Sequence, residues 1–163
     1  MLDLMGRGPT DSAARVNKVL ATCGRHRLVD YVTGQGGDWL QACWNPPSHG
    51  PWYRTDGGRT PTPLLMPGTM TSELAVQAGE LLIWSLDGGR RAEDGVPVLA
   101  RINKARFSAP VGPGEQVVAK VTLRQRLGPA FYVDAVAHCG ARKVMTASLT
   151  FTATQAVSRW LES

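Results

Sequence analysis

Residues 65–86 read LMPGTMTSELAVQAGELLIWSL, and this stretch predicts the one long helix of the chain. Pro67 suits the first helical position, where its missing N–H costs nothing. Small and apolar residues recur at spacings of three or four, so one helix face is expected to be buried; they are Met70, Leu74, Ala78, Leu81, Leu82 and Ser85. Gly88-Gly89 predicts the helix end, which gives a helix over about 67–85.

Only strands are predicted after this helix, each bounded by Gly or Pro. Residues 116–124 alternate clearly, with Val117, Ala119 and Val121 pointing to one face. The other predicted strands cover Val96 to Phe107, Phe131 to His138 and Lys143 to Thr152, and a hairpin is predicted upstream from Leu28 to Thr33 and Trp39 to Trp44. The pattern therefore predicts an α+β fold, with an antiparallel sheet wrapped around one central helix.

The 163 residues suit a single domain, predicted over 12–155, with a flexible tail at 1–11 and another at 156–163. Ser12 is expected to cap a short helix that ends near Gly24. From Asn45 to Thr62 the chain is crowded with Pro, Gly, Ser and Thr, which is typical of a binding loop or lid in a compact domain.

Composition excludes several classes of protein. Hydrophobic residues make up 43% and charged residues 19%, as in a globular domain, and no apolar run approaches the roughly 20 residues that span a bilayer. With no apolar segment near the start, a cytoplasmic protein without a membrane partner is expected. The three cysteines lack paired spacing and are predicted to be free thiols rather than a metal site. The net charge is +5 and its arginines are scattered, so the charge fits an acidic partner as well as nucleic acid. Because no sequence motif supports nucleic-acid binding, no nucleic-acid partner is predicted.

Two sequence blocks together resemble a known family. The first is Leu65-Met66-Pro67-Gly68, with Glu73 and Gln77 following in the helix. The second is Ile102-Asn103-Lys104-Ala105-Arg106-Phe107, followed by Pro110-Val111 and Pro113-Gly114-Glu115-Gln116. In this order the blocks resemble the β-hydroxyacyl-acyl-carrier-protein dehydratases of the FabZ and FabA type, and the resemblance covers roughly Thr62 to Ala153.

The resemblance implies a hotdog fold in which two copies pair edge to edge. It also implies an active site at the dimer interface, with a histidine from one subunit and an acid from the other. Dehydration requires a base for the α proton, an acid for the β-hydroxyl and a donor for the enolate oxygen. By resemblance, the backbone N–H of Gly68 is the donor and Glu73 is the acid. No cofactor is expected, since an acyl carrier protein delivers the substrate on phosphopantetheine.

Two further sets of residues follow from the resemblance. The predicted substrate-binding residues are Met66, Pro67, Met70, Gln77 and Phe107. The carrier protein is acidic, so a basic rim near the tunnel mouth would attract it. The predicted carrier-binding residues are Arg101, Lys104, Arg106, Arg124 and Arg126.

The family's catalytic histidine is missing from its expected position. Seven residues before Met66 the chain has Arg59, and arginine stays protonated and cannot act as a base. His49 and Asp56 are the candidates to replace it. Three hypotheses stay open: a heterodimeric dehydratase with a histidine-bearing partner in fatty-acid or polyketide biosynthesis, a homodimeric thioesterase, isomerase or dehydratase, or a non-catalytic module that binds acyl carriers. Fold alone does not choose among them.

Overall fold

The computed structural model describes residues 1–20, 26–48, 65–86 and 95–154. Within these ranges it contains two α-helices and six β-strands. Their bounds are α1 Pro9–Val19, β1 Tyr31–Gln35, β2 Trp39–Trp44, α2 Gly68–Ser85, β3 Val96–Phe107, β4 Val117–Leu127, β5 Ala130–Cys139 and β6 Arg142–Thr154. The α+β class and the long helix at about 67–85 are confirmed.

All the strand pairs are antiparallel and form one sheet in the order β1-β2-β4-β5-β6-β3. Helix α2 packs against β2, β3, β4, β5 and β6. This arrangement of a long antiparallel sheet around one central helix confirms the predicted hotdog fold. The predicted hairpin of β1 and β2 also forms, with Tyr31 opposite Cys43. Its first strand, predicted over Leu28 to Thr33, covers Tyr31–Gln35 instead.

Helix α2 is buried around most of its circumference, which differs from the single buried face that the spacing predicted. Ala75, Val76 and Ile83 lie outside the predicted stripe, yet each is at most 6% exposed. The reason is that the sheet and the N-terminal segments enclose the helix, and a helix enclosed in this way is apolar all round. At Gly79 the helix approaches the sheet closely: an added Cβ would lie 2.5 Å from Cζ of the buried Phe151.

Strand β3 forms one edge of the sheet and is exposed along its second half. Residues 100–108 are all exposed, although the backbone of β3 pairs with β6 on one side. Ile102 and Phe107, which lie opposite the buried Leu149 and Met145, remain 46% and 49% exposed. A long edge strand with exposed apolar side chains is suited to pairing with another chain. The opposite edge, β1, is short and packs against α1.

The N-terminal residues correct the prediction of a flexible tail over 1–11. Helix α1 begins at Pro9, and Leu4 is completely buried. Ser12 lies inside α1 rather than capping it; its hydroxyl donates to Leu4 O (2.7 Å) and accepts from Val32 N (2.8 Å). The segment is ordered by these distant contacts, which no local sequence signal reveals. The predicted helix end at Gly24 and the tail at 156–163 lie outside the described residues.

Two expectations from composition can be compared with the described ranges. Neither α1 nor α2 combines the length and hydropathy that crossing a membrane requires. Cys43 and Cys139 are free, and burial raises the pKa of both thiols. Cys23 lies outside the described residues.

Candidate functional site

Gly68 opens helix α2 at the wall of a cavity. Pro67 precedes it as the N-cap, so the helix begins one residue later than predicted. The N–H of Gly68 therefore has no carbonyl partner within the helix and lies at the positive end of the helix dipole. The adjoining cavity has a volume of about 540 Å³, and its lining includes Met66, Gly68, Thr71, Phe107, Val111 and Val144. A developing oxyanion is the kind of group that such a helix terminus stabilises.

Phe107 explains why glycine occupies position 68. An added Cβ at Gly68 would lie 2.9 Å from Cδ1 and 3.0 Å from Cε1 of the Phe107 ring. Phe107 is the last residue of β3 and reaches the helix terminus from the exposed edge of the sheet. The two sequence blocks that carry the resemblance thus meet at this contact.

The turn after β3 is held by a carboxylate. Oε2 of Glu115 accepts the backbone N–H of Gly112 at 2.7 Å, and Arg142 Nη2 contacts Glu115 Oε2 at 2.6 Å. Both interactions lower the pKa of the Glu115 carboxyl, the backbone hydrogen bond most. Met66 N also donates to Val111 O (2.9 Å), which ties the residues before α2 to the same turn. The second block therefore shapes the cavity mouth rather than supplying an acid or base.

Glu73 lies on the second turn of α2 and is half-buried. Its Oε1 accepts a hydrogen bond from Nε2 of Gln77 at 2.8 Å, one turn further along the helix. The Glu73 side chain therefore has a defined partner. Gln77 in turn contacts residues 26–29, which precede β1.

Gln77 is fully buried, and protein groups surround its amide. Oε1 accepts from Leu28 N (2.8 Å) and Val29 N (3.3 Å), and Nε2 donates to His26 O (2.7 Å) and to Glu73. The sequence predicted that Gln77 binds substrate. The structure corrects that prediction, because all the hydrogen-bonding positions of the amide are occupied by protein groups at zero exposure. Glu73 is four residues away, but the other three partners lie some fifty residues away, so no local spacing could have revealed them.

Gly68 and Glu73 lie on different sides of α2. Five residues correspond to about 140° around a helix axis. Phe107 covers the helix at Gly68, whereas Glu73 is bonded to Gln77, whose other partners precede β1. Glu73 does not line the cavity next to Gly68. Within one chain, therefore, the predicted donor and the predicted acid do not converge on one substrate position.

Glu80 is a titratable group that sequence reasoning missed. Burial, together with the nearby negative charge of Glu73, raises the pKa of Glu80 to about 7. The signal was available in the sequence: the two glutamates are seven residues apart, which places them on the same side of a helix that is enclosed on most sides.

Of the four other predicted substrate-binding residues, two line the cavity next to Gly68 and two do not. Met66 is buried at 6% exposure and lines the cavity together with Phe107. Pro67 is exposed, and Met70 packs partly buried against the core. Neither Pro67 nor Met70 lines this cavity, so their contact with substrate stays a prediction.

The predicted carrier-binding residues fall into two groups. Arg101, Lys104 and Arg106 lie opposite Thr150, Ser148 and Thr146 in the register, so they project from the outer face of the sheet at its β3 edge. Arg124 pairs with Asp134 (Nη1 to Oδ2, 3.3 Å). The guanidinium carbon of Arg126 lies 5.0 Å from the centre of the Phe131 ring. All five residues are exposed, and carrier binding stays a prediction.

His49, Asp56 and Arg59 lie outside the described residues. The proposals that His49 or Asp56 replaces the family histidine therefore stay predictions. Of the other two histidines, His26 is exposed and His138 is partly buried on β5.

Comparison with known proteins identifies related sequences. A family model described as a FabA-like domain matches residues 60–148. The 3-hydroxyacyl-[acyl-carrier-protein] dehydratase FabZ of Paracidovorax citrulli is 32% identical over 114 residues, which are 69% of this chain and 76% of the relative. The protein of the same name from Sulfurovum is 29% identical over 142 residues, covering 85% of this chain and 93% of the relative.

A solved structure, the dehydratase heterocomplex ApeI:P from Xenorhabdus doucetiae, has a similar fold. The superposition has a TM-score of 0.67 at 16% sequence identity and covers 91% of this chain and 97% of that chain. At this identity, the similarity establishes the shared fold and no more.

Proposed function

Since the chain belongs to the FabA-like domain family, with the FabZ dehydratases among its relatives, we propose that it is a subunit of a 3-hydroxyacyl-[acyl-carrier-protein] dehydratase. The enzyme is a lyase of fatty-acid or polyketide biosynthesis. In this proposal the chain supplies Glu73 to an active site that a histidine-bearing hotdog partner completes. The substrate arrives on the phosphopantetheine arm of an acyl carrier protein, and no other cofactor takes part.

The reaction divides between the two subunits. A histidine of the partner removes the proton α to the thioester carbonyl, and the enolate oxygen accepts a backbone N–H at the partner's helix terminus. Glu73, acting in its protonated form, then gives its proton to the β-hydroxyl as the C–O bond breaks, which releases water and leaves the unsaturated thioester. Each group has one role, and Glu73 is the only one that this chain provides.

The observation that carries the proposal is the separation of Gly68 from Glu73 around α2. Because the two face different sides of the helix, a two-chain assembly places them in different sites. The site that contains Glu73 takes its base and its oxyanion donor from the partner. The site next to Gly68 receives the partner's acid, but seven residues before Met66, where the family's histidine is expected, this sequence has Arg59. The heterodimer therefore has one productive site.

The exposed edge of β3 is the surface for the partner subunit. Among the described residues no strand pairs with the outer edge of β3, and Ile102 and Phe107 offer apolar side chains on its inner face. Phe107 also reaches Gly68, so pairing at this edge brings the partner next to the helix terminus. A structure named as a dehydratase heterocomplex shares this fold, which is consistent with such an assembly.

Arg101, Lys104 and Arg106 form the surface for the acidic carrier protein. They project side by side from the outer face at the β3 edge, and exposed charges of one sign accelerate the approach of an oppositely charged partner. Replacing Arg101 and Lys104 with Glu should weaken carrier binding in a salt-dependent manner, as measured by fluorescence anisotropy of a labelled carrier. Lys18→Glu on α1 is the matched control and should bind as the wild type does.

Reconstitution tests the proposal. The chain is co-expressed with each histidine-bearing hotdog dehydratase of the same genome, and the products are examined by native mass spectrometry and by dehydration of 3-hydroxyacyl-carrier substrate. The proposal expects a one-to-one complex that dehydrates, and an isolated chain that does not. A homodimer that dehydrates alone would contradict it. Hydrolysis of the thioester would identify a thioesterase, and carrier binding without turnover in any complex would identify a binding module.

A further inference from the structure

The amide of Gln77 can adopt only one orientation. Its oxygen lies between the backbone N–H groups of Leu28 and Val29, at 2.8 and 3.3 Å, and a nitrogen there would face two donors. The amide nitrogen must therefore point the other way, where it donates to His26 O (2.7 Å) and to Glu73 Oε1 (2.8 Å). Four hydrogen bonds at zero exposure hold this arrangement.

We propose that Gln77 is a positioning residue for Glu73, an assignment that rests on the proposed dehydratase function. Because Nε2 of Gln77 can only donate, Oε1 of Glu73 must accept in both protonation states of the carboxyl. The exchangeable proton of Glu73 is then confined to Oε2. Oε2 is therefore the atom that gives its proton to the β-hydroxyl of the substrate, while Gln77 fixes the rotamer that presents it.

The same contacts tie the acid to residues 26–29, which directly precede β1. Leu28 and Val29 are themselves buried, so the backbone groups that hold Gln77 belong to the core rather than to a mobile loop. Glu73 is thus braced through Gln77 by residues that precede β1. Such support matters in acid catalysis, since a misplacement of 1 Å can reduce a rate by about 100-fold.

Gln77→Glu separates positioning from folding. The new side chain keeps an oxygen for the N–H groups of Leu28 and Val29, but it loses the donor to Glu73. In the reconstituted complex we expect kcat to fall by about 100-fold, with KM close to the wild-type value. We also expect the loss to shrink as the pH is lowered, because the introduced carboxyl then takes up a proton and donates again to Glu73.

Ser12→Ala is the matched control. Ser12 is also fully buried and also ties the N-terminal residues to the domain, but its partners are Leu4 and Val32 rather than Glu73. This variant should lower the melting temperature and leave kcat unchanged. Wild-type kcat and pH profile in Gln77→Glu would overturn the proposal, as would equal losses of kcat in Gln77→Glu and Ser12→Ala at equal losses of stability.

Two further measurements distinguish this proposal from the proposed function. Full turnover of the complex with Glu73→Gln would refute the dehydratase role of Glu73. If that variant is inactive while Gln77→Glu is fully active, only the positioning role fails. The contact itself is tested in the isolated chain: the side-chain amide protons of Gln77 should exchange with solvent faster in Glu73→Ala than in the wild type. Unchanged exchange would contradict the hydrogen bond on which the proposal depends.

Discussion

Gly68 and Glu73 are five residues apart in one helix but lie about 140° apart around its axis. The ring of Phe107 covers the helix at Gly68, and the amide of Gln77 holds Glu73 on another side. Within one chain, the predicted oxyanion donor and the predicted acid therefore do not meet at one substrate position. In the proposed heterodimer, the partner subunit supplies the base and the oxyanion donor that act with Glu73.

This separation predicts that Gly68→Ala has little effect in the heterodimer. The added Cβ would press against the Phe107 ring and narrow the cavity, but that cavity lies outside the proposed productive site. Steady-state kinetics of the complex should give a kcat close to wild type. A loss near the 100-fold typical of a disturbed oxyanion hole would place Gly68 in the working site.

Gly79→Ala should destabilise the domain, although alanine is the better helix former. An added Cβ at Gly79 would lie 2.5 Å from Cζ of Phe151, whose ring is fully buried. Overpacking of this kind costs about 1–3 kcal/mol, against a helix-propensity gain of about 1 kcal/mol. Urea denaturation measures the net loss in the free energy of unfolding. Gly37→Ala, where no atom lies within 4 Å of the added Cβ, is the control; an equal effect in both variants would disprove the packing argument.

The raised pKa of Glu80 predicts that the free energy of unfolding falls as the pH rises. Its pKa is raised from 4.5 to about 7 in the folded protein, first by burial and then by the charge of Glu73. As the pH rises from 4.5 to 7, the unfolded chain releases this proton while the folded protein keeps it, so the free energy of unfolding decreases. Above both values the loss amounts to about 3 kcal/mol.

Glu80→Gln should remove this dependence. In urea denaturation across this pH range, the variant should gain stability over the wild type as the pH rises, and most of all above pH 7. Asp38→Asn, at an exposed carboxyl, provides the comparison and should follow the wild-type curve. If the free energy of unfolding changes with pH in the same way in the wild type and in Glu80→Gln, ionising the Glu80 carboxyl does not destabilise the folded protein, and the prediction is wrong.

Ile102→Lys should prevent assembly with the partner subunit. The side chain is 46% exposed on the inner face of the β3 edge, and a lysine there would place a charge in an interface that this chain lines with apolar side chains. Native mass spectrometry should show the isolated chain in place of the complex. Leu127→Lys alters a similarly exposed leucine at the end of β4 and should leave the complex intact. If both variants assemble, the partner binds elsewhere.

Local patterns were sufficient to predict the parts of the fold that depend on local rules. Strand β2 and strand β3 have the predicted bounds, and α2 differs by one residue at its start, because alternation and turn residues act over short distances. The N-terminal segment was predicted wrongly, since Leu4 and Ser12 are ordered by contacts with β1 and its neighbours.

In the candidate site too, local features could be predicted from the sequence and long-range contacts could not. Gly68 and Glu73 could be located from the motif, because helix termini and spacing are visible in the sequence. The long-range hydrogen bonds of Gln77 could not be predicted, because His26, Leu28 and Val29 come into contact with it only after folding.

Turnover of the reconstituted heterodimer with Glu73→Gln tests the central claim most directly. Glutamine keeps the shape of the side chain but has no proton to give to the leaving hydroxyl. The complex should form with unchanged mass, and its dehydration rate should fall by about 100- to 10,000-fold. Removing the partner's own acid should leave the rate unchanged. Wild-type turnover with Glu73→Gln would contradict the claim that this chain supplies the catalytic acid.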